Sequence, residues 1–194
     1  IDSDGANAVF KASLPHGITV TTNPRGIASS GTSTVWVLVD AQPYDKVLII
    51  DMASSTTTAT SLQTSTQTPT GSFDAPSNDT IGLSYSNGSL WIAGRSPDGG
   101  NQKVAMEVST STGALLNTVN LRTDWNDQYH GEIYSILYDG TYVYFANDNY
   151  DCCDHRISQI KTSTGDYEQE YRDDDNQALA DPHGMALQSN GNFI

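Results

Sequence analysis

The chain is poor in basic residues: 9 Lys and Arg stand against 23 Asp and Glu, giving a net charge of −14 over 194 residues. A nucleic acid or an anionic membrane surface as partner is excluded on this ground, since both need a basic face. Cations, carbohydrate and other protein subunits are the partners that suit an acidic surface. Membrane insertion is not expected, because no apolar run approaches the roughly eighteen residues of a spanning helix. A basic segment followed by an apolar one, the mark of a secretory leader, is also missing, so an exported chain would already have lost its signal. Helical periodicity is almost absent. Cysteine is nearly so, with two residues placed side by side.

Small polar residues take the place of what is missing. Charged residues make up only 16% of the chain, and Ser, Thr, Asn and Gly are plentiful, a composition typical of secreted β-proteins. Two N-x-[S/T] triplets, at Asn78 and Asn87, are candidate glycosylation sites. The Ser/Thr run from Ser54 to Ser72 reads either as an O-glycosylated tract or as a solvated edge strand followed by a loop. Together these features predict an extracellular or cell-surface glycoprotein.

What recurs is a glycine turn followed by an apolar strand: GTSTVWVLVD from Gly31, GSLWIAG from Gly88, GTYVYFAN from Gly140 and GNFI from Gly191, spaced just over fifty residues apart. A fixed period of that length indicates a repeat architecture. Before each glycine lies a short strand, as in PRGIAS from Pro24, DTIGLSY from Asp79, HGEIYSILY from His130 and PHGMALQ from Pro182. A third strand follows (KVLIIDM, KVAMEVS, RISQIKT), and a fourth comes after the turns STSTG and KTSTG. Four antiparallel strands per period make a β-propeller blade, so the predicted fold is an all-β propeller forming one domain over residues 1–194.

Blades are expected at about 24–70, 79–122 and 130–172, with a closing blade from 182–194 plus 1–14 in which the N-terminal strand is outermost. The parent ring would have at least four blades, of which the chain covers about three and a half. The closing blade lacks its third strand. Truncation of a longer propeller is the favoured explanation, and a strand lent by a neighbouring molecule is the other.

With the strands placed, PRGIA and PHGMA resemble the opening Pro-x-Gly-Ile-Ala of the NHL-type propeller repeat. The second blade departs from that motif. The residues just before each innermost strand, Arg25, Asp79, His130 and His183, are expected at the mouth of the central channel. NHL-like amidating and antibiotic-inactivating lyases use histidines at such positions with a metal. The resemblance therefore implies His130 and His183 as zinc ligands, with Glu132 a nearby carboxylate and Arg25 standing at the position of a third ligand. Against this stands a plainer role for His-Gly, a tight turn whose glycine permits close backbone packing. His16 is assigned to a loop.

The segment NDNYDCCDH, running from Asn147, should connect the second and third strands of its blade. Asp148, Asp151 and Asp154 offer hard oxygen ligands suited to calcium, without the spacing of an EF-hand loop. The loop YRDDDNQ from Tyr171 is acidic in the same way. Adjacent cysteines cannot reach ordinary disulfide geometry, since Cα atoms across one peptide lie about 3.8 Å apart and usual disulfides need more than about 4.4 Å. A pair with no intervening residue also makes a poor zinc motif. In an oxidising compartment a vicinal disulfide between Cys152 and Cys153 is expected, stiffening one turn into a hydrophobic knuckle. Reduced thiols, or pairing outside the chain, are the alternatives.

No G-x-S-x-G elbow and no phosphate-binding glycine loop occurs. The preferred functional expectation is a non-catalytic propeller module for ligand binding or protein assembly, such as a scaffold, filament or surface subunit. The opposing one is a metal-dependent lyase or lactonase acting through His130, His183 and Glu132.

Overall fold

A computed structural model of the chain describes residues 20–51, 69–77, 79–98, 102–121, 133–147, 156–171 and 184–186. Among the described residues the strands of the first three expected blades form where β-branched and aromatic residues run between glycine turns, while Gly184 to Ala186 of the expected PHGMALQ strand are not in a strand. Blade 1 contains β1 (Val20–Ser29), β2 (Thr34–Ala41), β3 (Lys46–Asp51) and β4 (Gly71–Asp74). Blade 2 contains β5 (Thr80–Ser86), β6 (Ser89–Arg95), β7 (Lys103–Val108) and β8 (Leu115–Asn120). Blade 3 contains β9 (Ile133–Tyr138), β10 (Tyr142–Asn147), β11 (Arg156–Lys161) and β12 (Tyr167–Tyr171). Each blade is a four-stranded antiparallel meander in sequence order. The innermost strands β1, β5 and β9 pack side by side, as the spokes of a ring require.

The fifty-residue period has a backbone cause. Gly31, Gly88 and Gly140 take φ of 76°, 86° and 107° in the turn after each innermost strand, a region that residues with a Cβ enter only at a cost. In blade 2 the turn is Asn87-Gly88, with Asn87 also at positive φ (50°), the pair favoured in two-residue hairpins.

The strands alternate, and both faces are used. Trp36, Leu38, Val47 and Phe73 of blade 1 meet Leu90, Ile92, Val104 and Met106 of blade 2 in one buried cluster. Trp91, Ala93, Ala105 and Val119 of blade 2 meet Ile136, Val143, Phe145 and Ile160 of blade 3 in a second. An aromatic pair repeats at each junction: Trp36 stacks on Tyr85 with ring centroids 4.7 Å apart, and Trp91 meets Tyr138 at 5.2 Å. Such pairs contribute about 1 kcal/mol beyond the area they bury. The glycine of PRGIA has a definite task here. A Cβ on Gly26 would lie 3.0 Å from the Leu83 nitrogen, so β1 comes this near to β5 because Gly26 lacks one.

Two boundaries differ from the sequence expectation. β1 begins at Val20, ahead of Pro24, with register shifts at Pro24 and Gly26 that accommodate the proline. The fourth strand of blade 1 is Gly71–Asp74, past the expected limit at residue 70. Only Phe73 of this strand points inward, so it offers no alternation to read. Residues 1–14 and 187–194, and with them most of the expected closing blade, lie outside the described residues, as does His16.

Candidate functional site

A meander sends the starts of its first and third strands, and the ends of its second and fourth, to the same edge of the sheet. That edge collects Asp40 at the end of β2, Lys46 at the start of β3, Asp74 at the end of β4, Asp79 ahead of β5, Arg95 at the end of β6 and Lys103 at the start of β7. The structure joins most of them into one network across the junction of blades 1 and 2. Arg25 reaches over from β1, donating from Nη1 to the Thr80 carbonyl oxygen (2.6 Å) and from Nη2 to Asp40 Oδ2 (3.1 Å). Its Nη1 also lies 3.9 Å from Asp79 Oδ1. The other oxygen of Asp79 is shared by Arg95 at 3.1 Å and Lys103 at 3.7 Å. Lys46 pairs with Asp74 beside this group.

Beneath it sits Asp45, fully buried. Its Oδ2 accepts from the Thr80 amide (2.9 Å) and the Thr80 hydroxyl (2.6 Å), and its Oδ1 from the Ala41 amide (3.4 Å). A carboxylate in the β2–β3 turn of blade 1 thereby holds the first residue of the innermost strand of blade 2.

Arg25 and Asp79, two of the four residues expected at the channel mouth, are thus brought together, Arg25 bonded to the Thr80 carbonyl of the other blade and Asp79 held mainly by Arg95 and Lys103 of its own. The arrangement can bind and brace. It presents no pairing of a free base with a nucleophile. His130, His183 and Glu132 lie outside the described residues. So do Asp148, Asp151 and Asp154, the pair Cys152 and Cys153, and the sequon residue Asn78. The strands on either side of the cysteines, β10 ending at Asn147 and β11 beginning at Arg156, have those ends on the edge of blade 3 that corresponds to the charged one. Arg156 is itself paired there with Glu170 at 3.0 Å. Among the described residues no three His, Cys, Asp or Glu side chains form a metal-binding group. Also among them, no helix is long and apolar enough to cross a membrane. Asn87 is exposed in its turn, with its amide nitrogen leaning over Gly140.

Arg95, Lys103, Asp40 and Asp45 had no place in the sequence reading. The strand-edge rule was the signal available for the first three, since their places follow from the meander alone. Asp45 had none, because a turn aspartate looks the same whether it faces solvent or the neighbouring blade.

No protein-family profile matches the chain, and no curated protein does. Among solved structures it is similar to the Dos1 propeller, at 12% identity and a TM-score of 0.53, over 88% of this chain and 41% of that one. It also overlaps a europium-containing methanol dehydrogenase (17% identity, TM-score 0.44, 91% of this chain and 29% of that one). A third overlap is with the Cps50 (Swd1) β-propeller domain of Myceliophteria thermophila (12% identity, TM-score 0.47, 88% of this chain and 49% of that one). The chain spans less than half the length of each. At such identities only the Dos1 likeness bears on the fold. Three meandering four-stranded sheets with adjacent innermost strands agree with it, and the chain has the β-propeller fold.

Proposed function

We propose that the chain is part of an extracellular, NHL-type β-propeller module that binds a ligand or assembles with other protein subunits and has no catalytic role of its own. One observation carries this reading. Arg25 and Asp79, from positions where a propeller enzyme would place working groups, are each engaged in ion pairs, Arg25 with Asp40 and Asp79 with Arg95 and Lys103 within their own blades, and they meet each other across the blade junction at 3.9 Å. Groups committed to bracing a ring are poor acids and bases. A blade junction braced in this way makes a rigid platform, and rigidity suits recognition.

The acidic surface, the sequons at Asn78 and Asn87 and the adjacent cysteines support an exported protein, glycosylated at those asparagines and carrying a Cys152–Cys153 disulfide. Asp148, Asp151 and Asp154 would supply calcium ligands in the same loop.

Peptide mass spectrometry of native protein without reduction, combined with elemental analysis, tests the proposal. Glycan on Asn78 or Asn87, loss of two hydrogens across Cys152 and Cys153, and no stoichiometric zinc are expected. Stoichiometric zinc on an unglycosylated chain with free thiols would overturn it in favour of a metal-dependent lyase or lactonase using His130, His183 and Glu132.

A further inference from the structure

The two blade junctions can be compared position by position through their ladders. In blade 1, Leu38 pairs with Val47 and Val47 with Phe73; in blade 2, Ala93 pairs with Ala105 and Ala105 with Val119. Val119 therefore stands in β8 where Phe73 stands in β4. The turns facing them also correspond: Gly113 donates its amide to the Ser109 carbonyl oxygen as Gly165 does to that of Lys161. At the first junction the Phe73 ring fills the space, and a Cβ on Gly113 would lie 2.2 Å from it. At the second, a Cβ on Gly165 would meet nothing within 4 Å. The smaller valine leaves a cleft of about 440 Å³ between β8 and the Thr162–Asp166 turn.

A second difference accompanies the first. Trp36 Nε1 donates to the Thr110 carbonyl oxygen at 3.1 Å, tying blade 1 to the turn that ends in Gly113. Trp91, its counterpart, is 1% exposed. Among the described residues no acceptor meets its Nε1 in hydrogen-bond geometry. One junction is plugged and hydrogen-bonded, and the other is open on both counts.

We propose that this cleft is a binding site for a neutral saccharide, an inference that rests on the ligand-binding reading above and narrows it. The walls are amides and hydroxyls from Asn117, Asn120, Thr162 and Thr164, with the Asp166 carboxylate and, among the described residues, no cationic side chain. An apolar ligand would strip water from these groups and return no hydrogen bonds. An anionic one would meet Asp166 and the chain's net charge of −14. A ligand rich in hydroxyls both donates and accepts, and the volume is within the usual range of small-molecule sites.

The test is saturation-transfer NMR on the folded chain with glucose, galactose, mannose, N-acetylglucosamine and maltose as probes, alongside the Val119→Phe variant. That variant places at the second junction the side chain that already fills the first. Transfer to at least one sugar is expected, with affinity about tenfold weaker in the variant. Should Val119→Phe fail to fold, the double variant Asn117→Ala with Thr164→Val removes polar groups without adding volume, and the same loss is expected. No transfer to any probe, or transfer undiminished in a folded variant, would overturn the proposal. Self-association measured on the same samples separates the two readings: a chain that assembles but takes up no sugar sinks this inference and leaves the assembly module standing.

Discussion

Asp45 and Thr80 are joined by two hydrogen bonds to one carboxylate oxygen, at 2.9 and 2.6 Å, although they belong to different blades. Removing the carboxylate in Asp45→Ala leaves a buried amide and hydroxyl without an acceptor. The expected cost is about 3 kcal/mol, with Asp45→Asn costing roughly half as much. Urea denaturation of the two variants measures both, and equal stability of Asp45→Ala and the parent would refute the bracing role.

Asp79 is bonded to more cations than Asp45 yet should matter less. It is more than a third exposed, so its pairs with Arg25, Arg95 and Lys103 are screened by solvent. Asp79→Asn is expected to cost below about 1 kcal/mol, and the difference from parent should shrink as salt rises. A loss as large as that of Asp45→Ala, or one indifferent to salt, would contradict this.

The paired tryptophans give an internal control. Trp36→Phe forfeits the hydrogen bond to Thr110 along with part of the stack on Tyr85. Trp91→Phe removes a buried N–H that has no well-placed acceptor. Trp36→Phe should therefore be the more costly change, by about 1 kcal/mol. The comparison is of thermal midpoints, and the reverse order would show that the two junctions are not built as described.

Alkaline pH should weaken the fold through two tyrosines. Burial, followed by the Asp139 carboxylate, pushes the Tyr144 hydroxyl well above its ordinary range, and burial with the Glu107 charge raises Tyr138. The folded chain thus holds these phenolic protons more tightly than the unfolded chain, whose tyrosines titrate near pH ~10. Their contribution is complete below that pH and is lost as pH rises from it through the raised folded values. The urea midpoint should fall above pH ~10, and Tyr144→Phe should flatten that fall. An unchanged slope in Tyr144→Phe would remove Tyr144 from the account.

Blade rhythm was legible because turn chemistry leaves a mark on sequence. Gly31, Gly88 and Gly140 sit at positive φ, and each is followed by a continuous apolar run of the kind that a strand buried on both faces carries. β4 is not legible in the sequence, since a four-residue strand with one inward side chain carries no pattern and the Ser/Thr run reaching its start reads equally as strand or loop. The charged edge was half legible. Arg25 and Asp79 were read from motif position, whereas Asp45 and the Phe73-to-Val119 exchange have meaning only once two blades are laid against each other. Such relations between repeats depend on which residues the neighbouring blade presents, and a pattern read along one strand does not record that.

The apolar clusters at the two described junctions are each contributed jointly by adjacent blades, so blade 2 owns no interior, whereas Val37, Val39, Leu48 and Ile50 form a third cluster from blade 1 alone among the described residues. Blade 2 cut out of the chain would therefore expose two greasy faces and have nothing to hold it together, and loss of order at one junction should spread to the next. The same shared ownership makes the array extensible. Trp36 with Tyr85 and Trp91 with Tyr138 show that one kind of seam is used twice, so an additional blade inserted in register would meet compatible faces on both sides.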